Sequence, residues 1–130
     1  MKFALLAILG MALAAASAAR AGDVIAHPSV RLDPADIRDV YLGEKQLSGD
    51  LRLVPVDNVA SQEAFLAAIL QTNLRNYQAR WTRKVFREGI RPPQVKGSDA
   101  EVMSFVRSTP GAIGYLMGNA GPGVTLLAHY

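Results

Sequence analysis

The segment Val56-Asp57-Asn58-Val59-Ala60-Ser61-Gln62-Glu63 holds the residues best suited to bind a ligand. An apolar run ends there and a helical pattern begins. The first N–H groups of a helix have no intrahelical partners, and the helix dipole places positive charge beside them. Such an end attracts a small anion. Asn58 and Ser61 can add side-chain donors to it. The plainer role for either residue is to cap the helix. Glu63, in the first turn, already complements the dipole and repels a second anion.

A second group is basic: Arg75, Arg80, Arg83, Lys84 and Arg87, with no acid before Glu88. Arg80 with Lys84, and Arg83 with Arg87, repeat at i,i+4 and form one helical flank. Like charges so spaced mildly destabilise a helix. The flank suits an acidic partner, membrane phosphates or a polyanion, or stands as a solvated face with salt bridges elsewhere. Other chemistry finds little support. His27 and His129 are the only histidines, and there is no cysteine. A zinc site would need carboxylates brought from afar, so no metal or other cofactor is expected. No G-x-S-x-G, H-E-x-x-H or P-loop pattern occurs. Ser61 has no evident base, and the chain reads as a non-enzyme.

The elements that must position these residues begin after a leader. Lys2 precedes the apolar run Phe3 to Ala16, and Ala19-Arg20-Ala21 resembles a cleavage site, with Ala16-Ser17-Ala18 as its competitor. The run is short for a membrane span, which takes about 20 residues. Residues 1–21 are therefore expected to be a signal peptide, with a retained N-terminal anchor as the lesser alternative, and 22–130 one α/β domain exported to the periplasm. Removing Lys2 and Arg20 lowers the net charge of +3 to an excess of one basic residue. The basic balance is thus no nucleic-acid footprint. Without disulfides, an exported domain must be stabilised by packing.

Val24 to Ala26 reads as a short strand. Asp33-Pro34 opens a helix, with Asp33 as its N-cap, Pro34 at its first position and Gly43 at its end. Glu44 to Asp50 is polar and reads as a loop. Leu51 to Val56 is a strand that Pro55 weakens or sends to an edge, and Asp57-Asn58 ends it. A helix near Ser61 buries Phe65, Leu66, Ile69 and Leu70. Asn73 caps a third helix, with Leu74, Tyr77, Trp81 and Val85 on one side and Gly89 as its stop. Ser98-Asp99-Ala100-Glu101 is a capping box for a fourth helix. Thr109-Pro110-Gly111 turns that helix into the apolar run Ala112 to Met117, where Gly114 suggests close approach of another backbone. Gly118 to Gly123 is a turn, and Val124 to Ala128 a last strand. The whole predicts a small mixed sheet of about four strands covered by about four helices.

In this order the elements resemble phosphate-type periplasmic substrate-binding proteins, the solute receptors of ABC transporters. Three passages carry the resemblance. Leu32 to Gly43 resembles the family's helix ending in an aromatic, a leucine and a glycine. Leu53-Val54-Pro55-Val56-Asp57, then Ser61 and Phe65, resembles the strand and helix start that carry ligand contacts. Trp81, Phe86, Pro92-Pro93 and Thr109 to Tyr115 form the third. The resemblance implies a single-lobe periplasmic-binding-protein-like domain with Asp57 and Ser61 as ligand-binding residues, to which the helix opening adds Asn58. It implies phosphate or a similar small oxyanion as ligand and a membrane transporter as partner. The family's Arg and its Ser-Gly-Thr are absent from Val56 to Glu63, and Leu47 stands where a Trp is common. Full receptors close two lobes about a hinge, and this length holds about one. The alternative is an envelope protein-interaction module that kept the fold and lost the ligand.

Overall fold

The structure, a computed structural model, describes residues 22–130. The signal peptide expected over residues 1–21 lies outside the described residues. Strand β1 (Asp23–Ala26) is followed by a 3₁₀ turn (Pro34–Asp36) and α1 (Ile37–Tyr41). The Asp33 carboxylate accepts from Ala35 N–H at 2.9 Å, the capping role its sequence implies. A two-stranded hairpin comes next, β2 (Leu47–Ser48) with β3 (Leu51–Arg52), then β4 (Val54–Asn58). After it stand α2 (Gln62–Phe65), α3 (Leu74–Glu88), β5 (Gln94–Lys96), α4 (Asp99–Ser108), β6 (Ala112–Tyr115) and β7 (Thr125–His129).

Five strands form the main sheet, in the order β5-β4-β6-β1-β7. β4 runs parallel to both β5 and β6, while β1 is antiparallel to β6 and β7. Strand alternation splits the core between the two faces. Val24, Ala26, Ile113 and Tyr115 face α1, Phe65, Leu66 and the Tyr77–Trp81 stripe of α3. Ile25, Val56, Ala112 and Leu116 face Val102, Met103 and Val106 of α4. Each fully buried large side chain contributes about 1.5–3 kcal/mol, so the sheet is held from both sides without disulfides.

Six local readings change. Glu44 to Asp50, read as a loop, contains β2, and the strand read over Leu51 to Val56 is broken at Leu53 into β3 and β4. β4 does not end before Asp57-Asn58; both residues belong to it and are buried. Pro55 lies in an interior strand. Val54 N–H donates to Gly111 O of the β6 side at 2.9 Å. Alternation then turns the missing N–H of Pro55 toward β5, whose pairing starts only at Val56↔Gln94. Gly114 makes room for side chains rather than a backbone: a Cβ there would lie 2.5 Å from Val102 Cγ1 and 3.2 Å from Val106 Cγ2. In the capping box, Ser98 Oγ accepts from Glu101 N–H at 3.2 Å, but the Glu101 carboxylate accepts from Gly97 N–H at 2.7 Å, one residue early.

The helix that starts at α2 widens into a π turn over Leu66–Leu70. Gln71 ends it at φ +54°, and Thr72 N–H closes onto Leu66 O at 3.1 Å. That closure spans one residue more than a regular helix end, as the wider turn requires. Phe65, Leu66 and Leu70 thereby all reach the core.

Candidate functional site

Parallel β4 and β6 end side by side, which brings Asp57 and Asn58 against Tyr115. Alternation sends Asp57 to the α3 face and Asn58 to the α4 face. Asp57 is 1% exposed. Tyr77 donates to its Oδ2 at 2.8 Å and Tyr115 to its Oδ1 at 2.7 Å. Burial pushes the Asp57 carboxyl up to about 6, against the downward pull of those two hydroxyls. Burial, then the neighbouring Asp57 charge, pushes both tyrosines far above their ordinary value. Tyr115 also stacks on Phe65, with ring centroids 3.8 Å apart and planes 7° from parallel. The carboxylate is enclosed by rings and hydroxyls.

Asn58 is fully buried. Its amide donates to Asp99 Oδ1 at 2.8 Å and to Tyr115 O at 3.0 Å, and its oxygen accepts from Ala60 N–H at 3.0 Å. Ser61, at the helix start, makes no side-chain cap bond. Its Oγ instead lies 2.8 Å from the Tyr130 hydroxyl, which is also 2.6 Å from Leu116 O. The tyrosine has one proton for two partners; the serine hydroxyl supplies the second. Asn58, Asp57 and Ser61 are thus brought to one end of the sheet, as their sequence spacing implies, and each is engaged by the chain itself.

Two further carboxylates gather at this end. Asp99 accepts from Met117 N–H at 2.9 Å and Gly118 N–H at 3.0 Å, filling the place that a bound anion would take in such a turn. Asp23 accepts from Ala120 N–H at 2.7 Å and pairs with His129 Nδ1 at 2.6 Å. Among the described residues, no Lys or Arg pairs with Asp57, Asp99 or Glu63. Three carboxylates, Asp23, Asp57 and Asp99, thus gather at this end. Sequence reading missed Tyr77, Tyr115, Tyr130, Asp99 and Asp23. One signal was available: a carboxylate on an apolar strand needs buried donors.

The basic flank of α3 is partly neutralised. Arg80 and Lys84 reach Glu44 at 3.4 and 3.3 Å, and Lys84 reaches Glu88 at 3.1 Å. Arg83 and Arg87 are exposed and make no ion pair among the described residues. Among those residues, no group of three or more His, Asp or Glu is arranged to hold a metal.

No family model and no curated protein matches the sequence. The fold, however, resembles solved structures. An ABC-type phosphate transport receptor from Vibrio cholerae superposes with a TM-score of 0.59 at 12% identity, over 83% of this chain and 45% of that one. This chain has a periplasmic-binding-protein-like fold. A putative phosphate ABC transporter substrate-binding protein with bound phosphate from Clostridium perfringens gives 0.55 at 18%, over 75% of this chain and 39% of that one. PstS from Borrelia burgdorferi gives 0.56 at 18%, over 75% and 40%. The periplasmic-binding-protein-like domain therefore spans less than half the length of each. Among the described residues, no helix is long and apolar enough to cross a membrane.

Proposed function

We propose that the chain is an exported, non-enzymatic binding domain that engages an envelope protein partner and has given up oxyanion capture. One observation carries this reading: Tyr77, Tyr115, Asp99 and Tyr130 occupy the polar groups of Asp57, Asn58 and Ser61. A buried, satisfied hydrogen-bond network has no spare donors, and breaking it to admit an anion costs about 1–3 kcal/mol per orphaned group. The partner surface is the outer flank of α3, where Arg83 and Arg87 make no ion pair among the described residues and suit an acidic patch. Purified protein should crosslink to an envelope partner from fractionated cells at low salt. Arg83→Glu with Arg87→Glu should abolish that product. Undiminished crosslinking by the double variant would count against this surface.

The second reading is a solute receptor for phosphate or a similar oxyanion, delivering it to an ABC-type transporter. Its support is the likeness to a phosphate transport receptor, to a putative phosphate substrate-binding protein solved with bound phosphate, and to PstS. In this reading Asn58 and Ser61 turn from Asp99 and Tyr130 to the ligand. Asp57 is then protonated, so that it donates to the anion rather than repelling it. Export from residues 1–21 is common to both readings.

A further inference from the structure

A cleft of about 490 Å³ lies at the beginning of β4, the end of the sheet away from Ser61. Its walls are the segment after α1, the run Arg52 to Val56, Trp81, and the connector Gly89 to Gln94. Most of this lining is apolar. Three cations edge it, Lys45, Arg52 and Arg91, and no carboxylate does. None of the three makes an ion pair among the described residues. The nearby Glu44 is already held by Arg80 and Lys84. Three free cations over an apolar wall are a recognition pattern, because unpaired charge of one sign is otherwise spread apart.

The wall is rigid. Trp81 Nε1 donates to Tyr41 O at 3.0 Å, which fixes the indole. Gly43 adopts φ +72°, and a Cβ there would lie 2.8 Å from both Trp81 Cη2 and Lys84 Cε. Only glycine lets this segment close on the ring without strain. The cleft falls in the size range of small-molecule sites, about 300–1,000 Å³, which are mostly apolar with a few placed polar groups.

We propose that this cleft binds a soluble amphipathic acid: a carboxylate on an aliphatic or aromatic body of modest size. The guanidinium forks of Arg52 and Arg91 match a planar carboxylate, and Lys45 adds a point charge. The body covers Trp81, Ile90 and the two prolines. A bare oxyanion would leave that apolar wall wet.

Trp81 is the sole tryptophan of the chain, so its fluorescence reports on the cleft. The probe is decanoate below its micelle concentration, with decanol, inorganic phosphate and anionic-lipid vesicles as comparisons. Decanoate should give a saturable change. Decanol, phosphate and vesicles should each bind at least about tenfold more weakly, the scale of one lost charged contact. Arg52→Glu with Arg91→Glu should weaken decanoate by a similar factor while circular dichroism stays unchanged. Should the Arg52 change disturb the β2–β3 hairpin, Lys45→Glu with Arg91→Glu replaces it. Equal affinity for decanoate and decanol, full binding by the charge variants, or a response to vesicles alone would overturn the proposal. Phosphate binding at Ser61 could succeed or fail independently of this result.

Discussion

At the scale of single residues, the decisive group is Asp57. Its folded carboxyl titrates near 6 because burial disfavours the charge, whereas the ordinary value is 3.8. The folded state therefore holds a proton that the unfolded chain releases. This contribution to stability is fully present below pH about 4 and is lost as the pH rises through about 6. The difference amounts to roughly 3 kcal/mol. Urea denaturation at stepped pH should show the wild type losing stability relative to Asp57→Asn across that window. A difference between the two proteins that is level or grows in favour of the wild type between pH 4 and 6 would contradict the burial argument. The partners of Asp57 come from 20 and 58 residues away along the chain. Tyr77 is legible as a core residue from its helical spacing, but nothing local says that its hydroxyl faces a carboxylate. That is why the sequence marks Asp57 only by resemblance and does not reveal its enclosure.

At the scale of elements, the tightest constraint is the contact of β6 with α4. Gly114→Ala would drive a methyl group into Val102 and Val106. Overpacking of this kind costs about 1–3 kcal/mol. The variant should lose that much stability in the same denaturation measurement, and Val102→Ala should restore part of it. An unchanged midpoint in Gly114→Ala would contradict the close seating of β6 on α4. Helix boundaries were legible because caps carry their own chemistry: Asp33, Asn73 and Ser98 all accept from the backbone they precede. Gly89 likewise ends α3 at φ +66°. β5 was not legible. It is three residues long, follows two prolines and has exposed side chains, so it shows no alternation of apolar and polar positions. Only its pairing with Val56–Asn58 makes it a strand. The continuation of β4 through Asp57-Asn58 was hidden for the same reason, since polar residues there read as a strand end until buried partners are known.

At the scale of the whole molecule, one five-stranded sheet separates two ends of opposite character. The Asp57–Ser61 end collects Asp23, Asp57 and Asp99 and turns its donors inward. At the other end Lys45, Arg52 and Arg91 edge an apolar wall and make no ion pair among the described residues. The solved proteins that share the fold are more than twice as long as the part this chain matches. A common fold does not fix a common ligand, so the polar groups at the strand ends have to decide. The most direct test follows the Asn58 side-chain amide and the Gln62, Glu63, Met117 and Gly118 backbone amides by nuclear magnetic resonance during titration with inorganic phosphate. An internally closed site predicts no saturable shift of these signals up to millimolar phosphate. Saturable shifts at all five, lost in Ser61→Ala, would contradict it and make the domain an oxyanion receptor.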